Sequence, residues 1–185
     1  MVVGLGNPGP EYKQTRHNVG VWVVDELIAR HHGRLRSSKE LALTDELRVG
    51  EHRMAVAFPQ TYMNESGNSV RQLVRRFGIE SLDRLVVVHD ELDLPVGRLK
   101  VKLGGGLAGH NGLKSIRDHL KSTDFVRVRI GVGKPPGRQQ GADYVLRRPS
   151  AADVRELEVV VAKAADAVEA LVDAPVDDVM NRFNG

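Results

Sequence analysis

Short apolar runs alternate along this chain with longer amphipathic stretches, an order that predicts strands alternating with helices. Strand-like patterns occupy residues 2–5, 85–89, 98–103 and 125–132. Apolar positions at helical spacing predict helices at residues 19–31, 68–77, 112–120 and 151–172, with a short last helix from residue 175. Residues 41–58 alternate on both sides of Gly50-Glu51, which predicts a β-hairpin. We therefore predict an α/β fold.

The length and the charge distribution limit the possible architectures and partners. At 185 residues the chain is expected to form one domain, residues 1–185. The net charge of +3 is uneven, because residues 150–185 carry 3 Lys/Arg against 8 Asp/Glu. The remainder is strongly basic, which favours a polyanion such as nucleic acid as partner. A basic surface that only aids solubility remains the alternative.

Two absences in the sequence exclude classes of chemistry. The chain has no cysteine, so a thiol nucleophile and Cys-based zinc sites are excluded. It has no apolar span of 18 residues and no signal-peptide pattern. We expect a soluble, cytoplasmic protein.

The loop after the first strand is the first candidate site. It carries Asn7, Tyr12, Arg16, His17 and Asn18, more hydrogen-bonding groups than a chain reversal needs. A histidine titrates near neutral pH, so His17 at a strand-to-helix junction is a candidate general base. The alternative is that His17 only caps the following helix.

Two further loops after predicted strands carry polar groups. Asn64 follows the hairpin, and Asp90 follows the apolar strand at residues 85–89. A carboxylate paired to a histidine fixes its tautomer and stabilises the imidazolium, so Asp90 is a candidate partner for His17. Asn64 is more simply explained as a cap or turn residue. The acidic run at residues 90–93 could instead bind a divalent metal.

Two neighbouring alternating strands place basic residues on one face each. Lys100 and Lys102 share one face of the first, and Arg127 and Arg129 share one face of the second. If these faces align, they make a phosphate clamp; otherwise they form a solvated sheet face. The intervening segment GGGLAGHNG matches no nucleotide-binding fingerprint and is better explained as a mobile lid.

Five segments together resemble the bacterial peptidyl-tRNA hydrolase family, in the family's order and over nearly the whole chain. They are GLGNPGPEYKQTRHNVG, TYMNESG, HDELDLPVGRLKVK, GGGLAGHNGLKSI and FVRVRIGVGKPPG. The resemblance implies a carboxylic ester hydrolase that frees tRNA from peptidyl-tRNA by cutting the bond between the peptide and the 3′-terminal ribose. It also implies a single-domain three-layer α/β/α fold with a twisted mixed sheet, a monomer, and no metal or organic cofactor.

The resemblance also assigns roles to individual residues. His17 matches the family's catalytic base and Asp90 the acid that orients it. The matched substrate-binding positions are Asn7, Tyr12, Met63, Asn64 and Asn111. Lys102 and Arg129 match the pair associated with the tRNA 5′-phosphate, and His110 matches a residue of the lid.

This chain departs from the family's pattern at three places. Almost nothing precedes Val2, so the first strand is expected to be shorter than in most relatives. Ala108 stands where relatives usually have glycine, which is expected to stiffen the lid. The C-terminal segment is acidic where many relatives have basic residues that touch tRNA.

Two other classes of function compete with the hydrolase. One is a non-catalytic RNA-binding protein on the same scaffold, and the other is a nucleoside-processing enzyme or peptidase of similar architecture. The His17 and Asp90 pair disfavours the first, and the lack of a metal cluster or nucleobase pocket in the sequence disfavours the second.

Overall fold

Seven strands pair into one mixed sheet in the order β2-β3-β4-β1-β5-β7-β6. The computed structural model describes residues 1–185, and the strands are β1 (Val2–Gly4), β2 (Arg36–Ser38), β3 (Ala42–Val49), β4 (His52–Pro59), β5 (Val86–Glu91), β6 (Leu99–Leu103) and β7 (Val126–Gly131). The four central strands β4, β1, β5 and β7 run parallel, and the three outer strands run antiparallel to their neighbours. The carboxyl ends of the central strands therefore lie along one edge.

Helices cover both faces of this sheet. They are α1 (Val19–Arg30), α2 (Ser66–Arg76), α3 (Asn111–Leu120), α4 (Gly141–Val145), α5 (Ala151–Ala170) and α6 (Val176–Phe183). Helices α1, α5 and α6 contribute to one apolar core, and α2 and α3 pack on a second core across the sheet. The predicted α/β class and three-layer arrangement are confirmed.

Most predicted elements are present, with differences at short segments. Strand β2 and helix α4, of three and five residues, were not predicted. The helix expected from residue 68 begins two residues earlier, at Ser66, whose hydroxyl donates to the carbonyl of Met63. Strand β2 and helix α4 are too short for the spacing of their apolar residues to indicate a helical or strand period.

The C-terminal helices complete the core and protect an edge of the sheet. The acidic helix α5 packs on the face opposite to α2 and α3. Beyond α6, the side chain of Asn184 accepts a hydrogen bond from Val101 N at 2.7 Å and donates to Val101 O at 2.8 Å. These two hydrogen bonds give partners to one N–H and one C=O group on the unpaired edge of β6. No helix combines the length and the apolar character that a membrane span requires.

Helix α1 crosses the sheet unusually closely. A Cβ atom on Gly20 would lie 2.2 Å from the carbonyl oxygen of Val88, so only glycine allows this approach. The turn that precedes α1 is consequently held over the end of β5. His17 lies on that turn, and Asp90 lies near the end of β5.

Candidate active site

A cavity of about 440 Å³ opens where the carboxyl ends of β1, β4 and β5 meet. Its walls come from the loops after these strands, from the segment before α3 and from helix α4: Asn7, His17, Tyr62, Met63, Asn64, Asp90, Glu91, Leu92, Ala108, Gly109, His110, Asn111, Gly141, Ala142, Val145 and Leu146. Loop residues at the carboxyl edge of parallel strands commonly form ligand sites in α/β proteins. Most of the residues singled out in the sequence converge here.

The centre of the site is a direct pair between His17 and Asp90. A 3₁₀ turn at Arg16–Asn18 presents the imidazole, and its Nδ1 lies 2.8 Å from Oδ2 of Asp90. Asp90 is 3% exposed and occupies strand β5 itself rather than the loop after it. An ionised carboxylate only accepts hydrogen bonds, so the proton of neutral His17 resides on Nδ1. Its Nε2 is left with a free lone pair.

A second imidazole binds the other oxygen of the same carboxylate. His110 Nε2 lies 2.8 Å from Oδ1 of Asp90. Its Nδ1 accepts from the backbone N–H groups of Gly112 and Leu113, and so caps the start of α3. Because Nδ1 accepts, Nε2 must carry the proton that is donated to Asp90. His110 thereby fixes the orientation of the carboxylate that holds His17.

The pair shifts the pKa values of both partners in opposite directions. Burial alone would lower the pKa of His17, but the charge of Asp90 and the hydrogen bond raise it above the ordinary 6.5. Burial alone would raise the pKa of Asp90, but the two histidines and their hydrogen bonds hold it well below 3.8. Asp90 is therefore ionised across the neutral range.

The neighbouring His89 plays a different part. It is 1% exposed, and its Nδ1 donates to the backbone carbonyl of Asp90 at 2.8 Å. Burial and the nearby His110 lower the pKa of His89 to about 3. This imidazole is neutral near pH 7 and helps to hold the strand end on which Asp90 lies.

Asn7 joins the first loop to the second. Its backbone N–H and C=O bond to the side chain of Asn18, both at 2.9 Å, and its Oδ1 accepts from Met63 N at 2.7 Å. With Oδ1 occupied, the free part of the Asn7 amide is its NH₂ group, which can donate into the cavity. Asn18 was noted in the sequence, but its bracing role was not predicted, because it depends on how the loop folds back.

The other expected substrate-binding residues are mostly at the cavity wall. Met63 and Asn64 line it from the 3₁₀ turn Met63–Glu65 before α2, and Asn111 lines it from the first position of α3. Tyr12 does not; its ring lies 6.5 Å from the ring of Tyr62, which does line the cavity. Tyr12 therefore contacts a residue of the wall without forming part of it.

Sequence reasoning missed the wall contributed by helix α4. Val145 and Leu146 give this side of the cavity an apolar surface, together with Leu92. The only available signal was the sequence ADYVL after a glycine, which is too short to predict a helix.

The two basic strand faces align, an outcome that alternation alone had left open. In the antiparallel pairing of β6 with β7, Lys102 lies opposite Arg127 and Lys100 lies opposite Arg129. Arg129 is not free, because its Nε and Nη2 both lie 2.9 Å from Oε1 of Glu91, a residue of the cavity wall. A basic surface thus adjoins the cavity on the α2/α3 face.

The segment between β6 and α3 is the predicted mobile lid, and its Ala108 and Gly109 line the cavity. Its Ala108 adopts a φ of 51°, in the left-handed region where glycine has no steric penalty. The expectation that Ala108 stiffens this segment stays a prediction.

A metal ion could be considered for the cluster of His17, Asp90 and His110, whose ligand atoms lie within 4.8 Å of one another. The hydrogen bonds argue against this use. The two ring nitrogens that face Asp90 are donors, and His110 Nδ1 is occupied by backbone N–H groups. A metal ligand needs a free lone pair, so the cluster fits a hydrogen-bonded catalytic group better than a metal centre.

Comparisons with known proteins match one family over the whole length of this chain. The model of the peptidyl-tRNA hydrolase family matches residues 1–185. The chain is 46% identical over 191 residues to the peptidyl-tRNA hydrolase of Kineococcus radiotolerans, covering 100% of this chain and 96% of that protein. It is 48% identical over 186 residues to that of Leifsonia xyli, with the same coverage. The crystal structure of the Acinetobacter baumannii peptidyl-tRNA hydrolase matches with a TM-score of 0.94 at 35% identity, over 100% of this chain and 93% of that one.

Because two histidines share the Asp90 carboxylate, we predict that Asp90→Asn lowers the free energy of unfolding by an amount that depends on pH. The lowered pKa of Asp90 contributes stability above about pH 4, and the raised pKa of His17 contributes stability below about pH 6.5. The free energy of unfolding lost in the variant should therefore be largest between pH 4 and 6.5, at about 1–3 kcal/mol. It should shrink as the pH rises through the folded pKa of His17 or falls toward that of Asp90.

Urea unfolding from pH 3 to 9 measures this difference. Asp93→Asn is the control, because Asp93 is exposed and its nearest cation, Lys134, is 3.8 Å away. A loss that does not vary with pH would mean that the Asp90 carboxylate is not coupled to a titrating histidine.

Proposed function

The chain belongs to the peptidyl-tRNA hydrolase family, and we propose that it releases tRNA by direct attack of water, with His17 as general base and Asp90 as the carboxylate that holds it. The family and the structural match make the protein a hydrolase of the ester in peptidyl-tRNA. This removes the non-catalytic RNA-binding alternative. The roles of the individual residues are the proposal.

The observation that carries the mechanism is the 2.8 Å contact between His17 Nδ1 and Asp90 Oδ2. It leaves Nε2 as the ring nitrogen that can remove a proton from water. As the imidazolium forms, the charge of Asp90 stabilises it, which is why the pKa of His17 is raised. A positioned general base of this kind accelerates a reaction by about 10²–10⁴.

The composition of the cavity wall supports water as the nucleophile. The wall contains no serine, threonine, cysteine or lysine. His17 therefore has no neighbouring hydroxyl of the serine type to activate, and a covalent acyl-enzyme is not required. The proton removed by His17 is then available for the 3′-oxygen of the departing ribose.

Asn7 is the best-placed donor for the ester carbonyl. Its Oδ1 is bound by Met63 N, so its NH₂ group is oriented by the fold before substrate arrives. A preorganised donor to a developing oxyanion is worth about 10²–10³ in rate. Asn64, just before α2, and Asn111, at the start of α3, also line the cavity and are assigned to the substrate's remaining polar groups.

The two halves of the substrate fit different surfaces. The apolar wall at Leu92, Val145 and Leu146 suits the side chains of the attached peptide. Lys102 and Arg129 suit the tRNA, with the 5′-phosphate as their ligand. The acidic helix α5 lies on the opposite face of the sheet and is assigned no part in binding tRNA.

We further propose that the protein acts as a monomer in the cytoplasm, where translation produces its substrate. The monomer rests on the family resemblance alone. Independence from metal is likewise part of the proposal, supported by the occupied ring nitrogens of the two histidines.

The first test is His17→Ala. Without the base, hydrolysis of N-acetyl-aminoacyl-tRNA in the presence of EDTA should fall by about 10²–10⁴. Affinity for tRNA should stay within a few-fold, because phosphate contacts lie elsewhere. His52→Ala, an exposed histidine on the hairpin, is the control. Near-wild-type hydrolysis by the His17 variant would remove this residue from the mechanism.

The second test is the double variant Lys102→Ala/Arg129→Ala. Each phosphate contact releases counterions, so losing two cations should reduce the slope of log affinity against log salt by about 1–2. The control is Arg34→Ala/Arg36→Ala, which removes two exposed cations beside β2, at the far edge of the sheet. A slope that changes equally in both pairs would show that only net charge matters.

A further inference from the structure

Helix α4 is the part of the cavity wall with the least support of its own. It contains five residues, Gly141–Val145, and isolated helices of fewer than about 12 residues are unstable in water. It supplies Val145 to the apolar wall, and Leu146 follows it directly. Neighbouring segments must therefore hold α4 in place.

Arg16 binds the C-terminal end of α4. Its Nη1 donates to the carbonyl oxygen of Tyr144 at 3.1 Å and to that of Arg147 at 3.4 Å. Its backbone N–H also donates to the carbonyl of Arg147, at 3.1 Å. Carbonyls at the end of a helix lack partners within the helix, and a cation there opposes the negative end of the helix dipole. Arg16 thus supplies donors to both carbonyls.

A second contact ties Arg16 and α4 to the sheet. The Arg16 guanidinium stacks on the ring of Tyr144, with 3.9 Å between Cζ and the ring centroid. The hydroxyl of Tyr144 donates to the carbonyl of Val132, just after β7, at 2.8 Å. Arg16 and Tyr144 are 9% and 7% exposed, so this stack lies inside the protein. It joins α4 to the end of a central strand.

The charge of Arg16 has no carboxylate beside it. The ion pairs of the protein involve other residues, and the partners of Arg16 are two carbonyl oxygens and one aromatic ring. Burying a cation without a counter-charge is unfavourable. The arrangement is therefore better explained by a need to keep α4 at one position than by a general gain in stability.

The position that Arg16 keeps is defined relative to His17. Arg16 directly precedes His17 in the 3₁₀ turn Arg16–Asn18. The same turn presents the imidazole to Asp90 and, through Arg16, holds α4. Consecutive residues thus hold the proposed base and one wall of its cavity.

The surface that α4 presents to the cavity is apolar and open. Leu146 is 45% exposed, whereas Val145 is 6% exposed and belongs to the core. Gly141 and Ala142 lie on the same side of the cavity, and their small size leaves room for a ligand group. A Cβ atom on Gly141 would lie 2.7 Å from Leu92 Cδ1, so the surface continues from α4 onto Leu92. A surface of this kind suits an aliphatic side chain.

We propose that Arg16 is a positioning residue that keeps α4 beside His17, and that the surface held in this way favours substrates whose esterified amino acid has an aliphatic side chain. The esterified amino acid carries the carbonyl that is attacked, so its side chain is the part of the peptide nearest to the base. An aliphatic side chain that packs on Leu146 leaves water, whereas glycine has no side chain to bury. Arg16 acts through α4 and takes no part in the proton transfer. This inference rests on the proposed function.

The test compares two substrates that share one tRNA and differ in the esterified residue, which is N-acetyl-leucine or N-acetyl-glycine. Both kcat and KM are measured for the wild type, Arg16→Ala and Arg48→Ala. Arg48 is the matched control, because it is an exposed arginine of β3 whose Nε also donates to a backbone carbonyl. The wild type and Arg48→Ala should prefer the leucyl substrate in kcat/KM by roughly tenfold, at the low end of what apolar pockets achieve.

Arg16→Ala should reduce this preference to about threefold or less, through a higher KM for the leucyl substrate. The change in kcat should be much smaller than the change in KM, because His17 keeps its bond to Asp90. Amide hydrogen exchange of residues 141–147 should become faster, since α4 loses the donors at its C-terminal end. Leu146→Ser, which alters the surface and not its anchor, should lower the same preference and leave this exchange unchanged.

Each other outcome has a defined meaning. Equal losses of kcat/KM on both substrates would mean that Arg16 acts on the His17 turn or on the whole fold, and would overturn the proposal. A preference that survives Arg16→Ala or Leu146→Ser, unchanged exchange of residues 141–147 in Arg16→Ala, or a wild type without any preference would also overturn it. If the wild type hydrolyses neither substrate, the proposed function itself fails.

A second variant covers the case in which Arg16→Ala does not fold. Arg16→Lys keeps a cation that can reach the carbonyls but loses the planar group that stacks on Tyr144. A reduced preference for the leucyl substrate in this variant supports the proposal, and an unchanged preference overturns it.

Discussion

One buried carboxylate, Asp90, accepts hydrogen bonds from two imidazoles, and the organisation of the site depends on it. Each histidine comes from a different part of the chain, His17 from the turn before α1 and His110 from the start of α3. A buried charge is tolerated when it is paired on both oxygens, and here both oxygens are used. The same contacts fix the tautomer of each ring, because a carboxylate cannot donate. The fold therefore determines which nitrogen of His17 can act on a proton.

The parallel arrangement of the central strands brings these groups together. Strands β4, β1 and β5 are neighbours, so the loops that follow them end at one edge. The sheet also separates charge, with the acidic helix α5 on one face and Lys102, Arg127 and Arg129 on the other. The segment from Gly104 to His110 connects the two areas of the site: its first residue binds Arg127, and its last residue binds Asp90.

The sequence indicated which face of a strand a side chain occupies better than it indicated which residues that side chain contacts. Alternation predicted that Lys102 and Arg127 would each point to one side of a strand, but only the pairing of β6 with β7 shows that the two sides align. It did not predict that Arg127 is buried or that Arg129 is held by Glu91, because those contacts depend on segments distant in sequence. The cap formed by His110 was equally hidden, since a histidine that accepts from backbone N–H groups has no distinctive spacing. Tyr12 was placed at the cavity wall through the family resemblance, yet it lies outside the lining, where its ring packs edge-on against Tyr62.

The account is tested most directly by nitrogen-15 NMR of the His17 imidazole across a pH titration. The structure predicts that neutral His17 carries its proton on Nδ1, leaves Nε2 unprotonated, and has a pKa above 6.5. Replacing Asp90 with asparagine should lower this pKa, since burial would then act without the opposing charge. A neutral ring protonated on Nε2, or a pKa below the ordinary value in the wild type, would contradict the claim that Asp90 prepares His17 as the base.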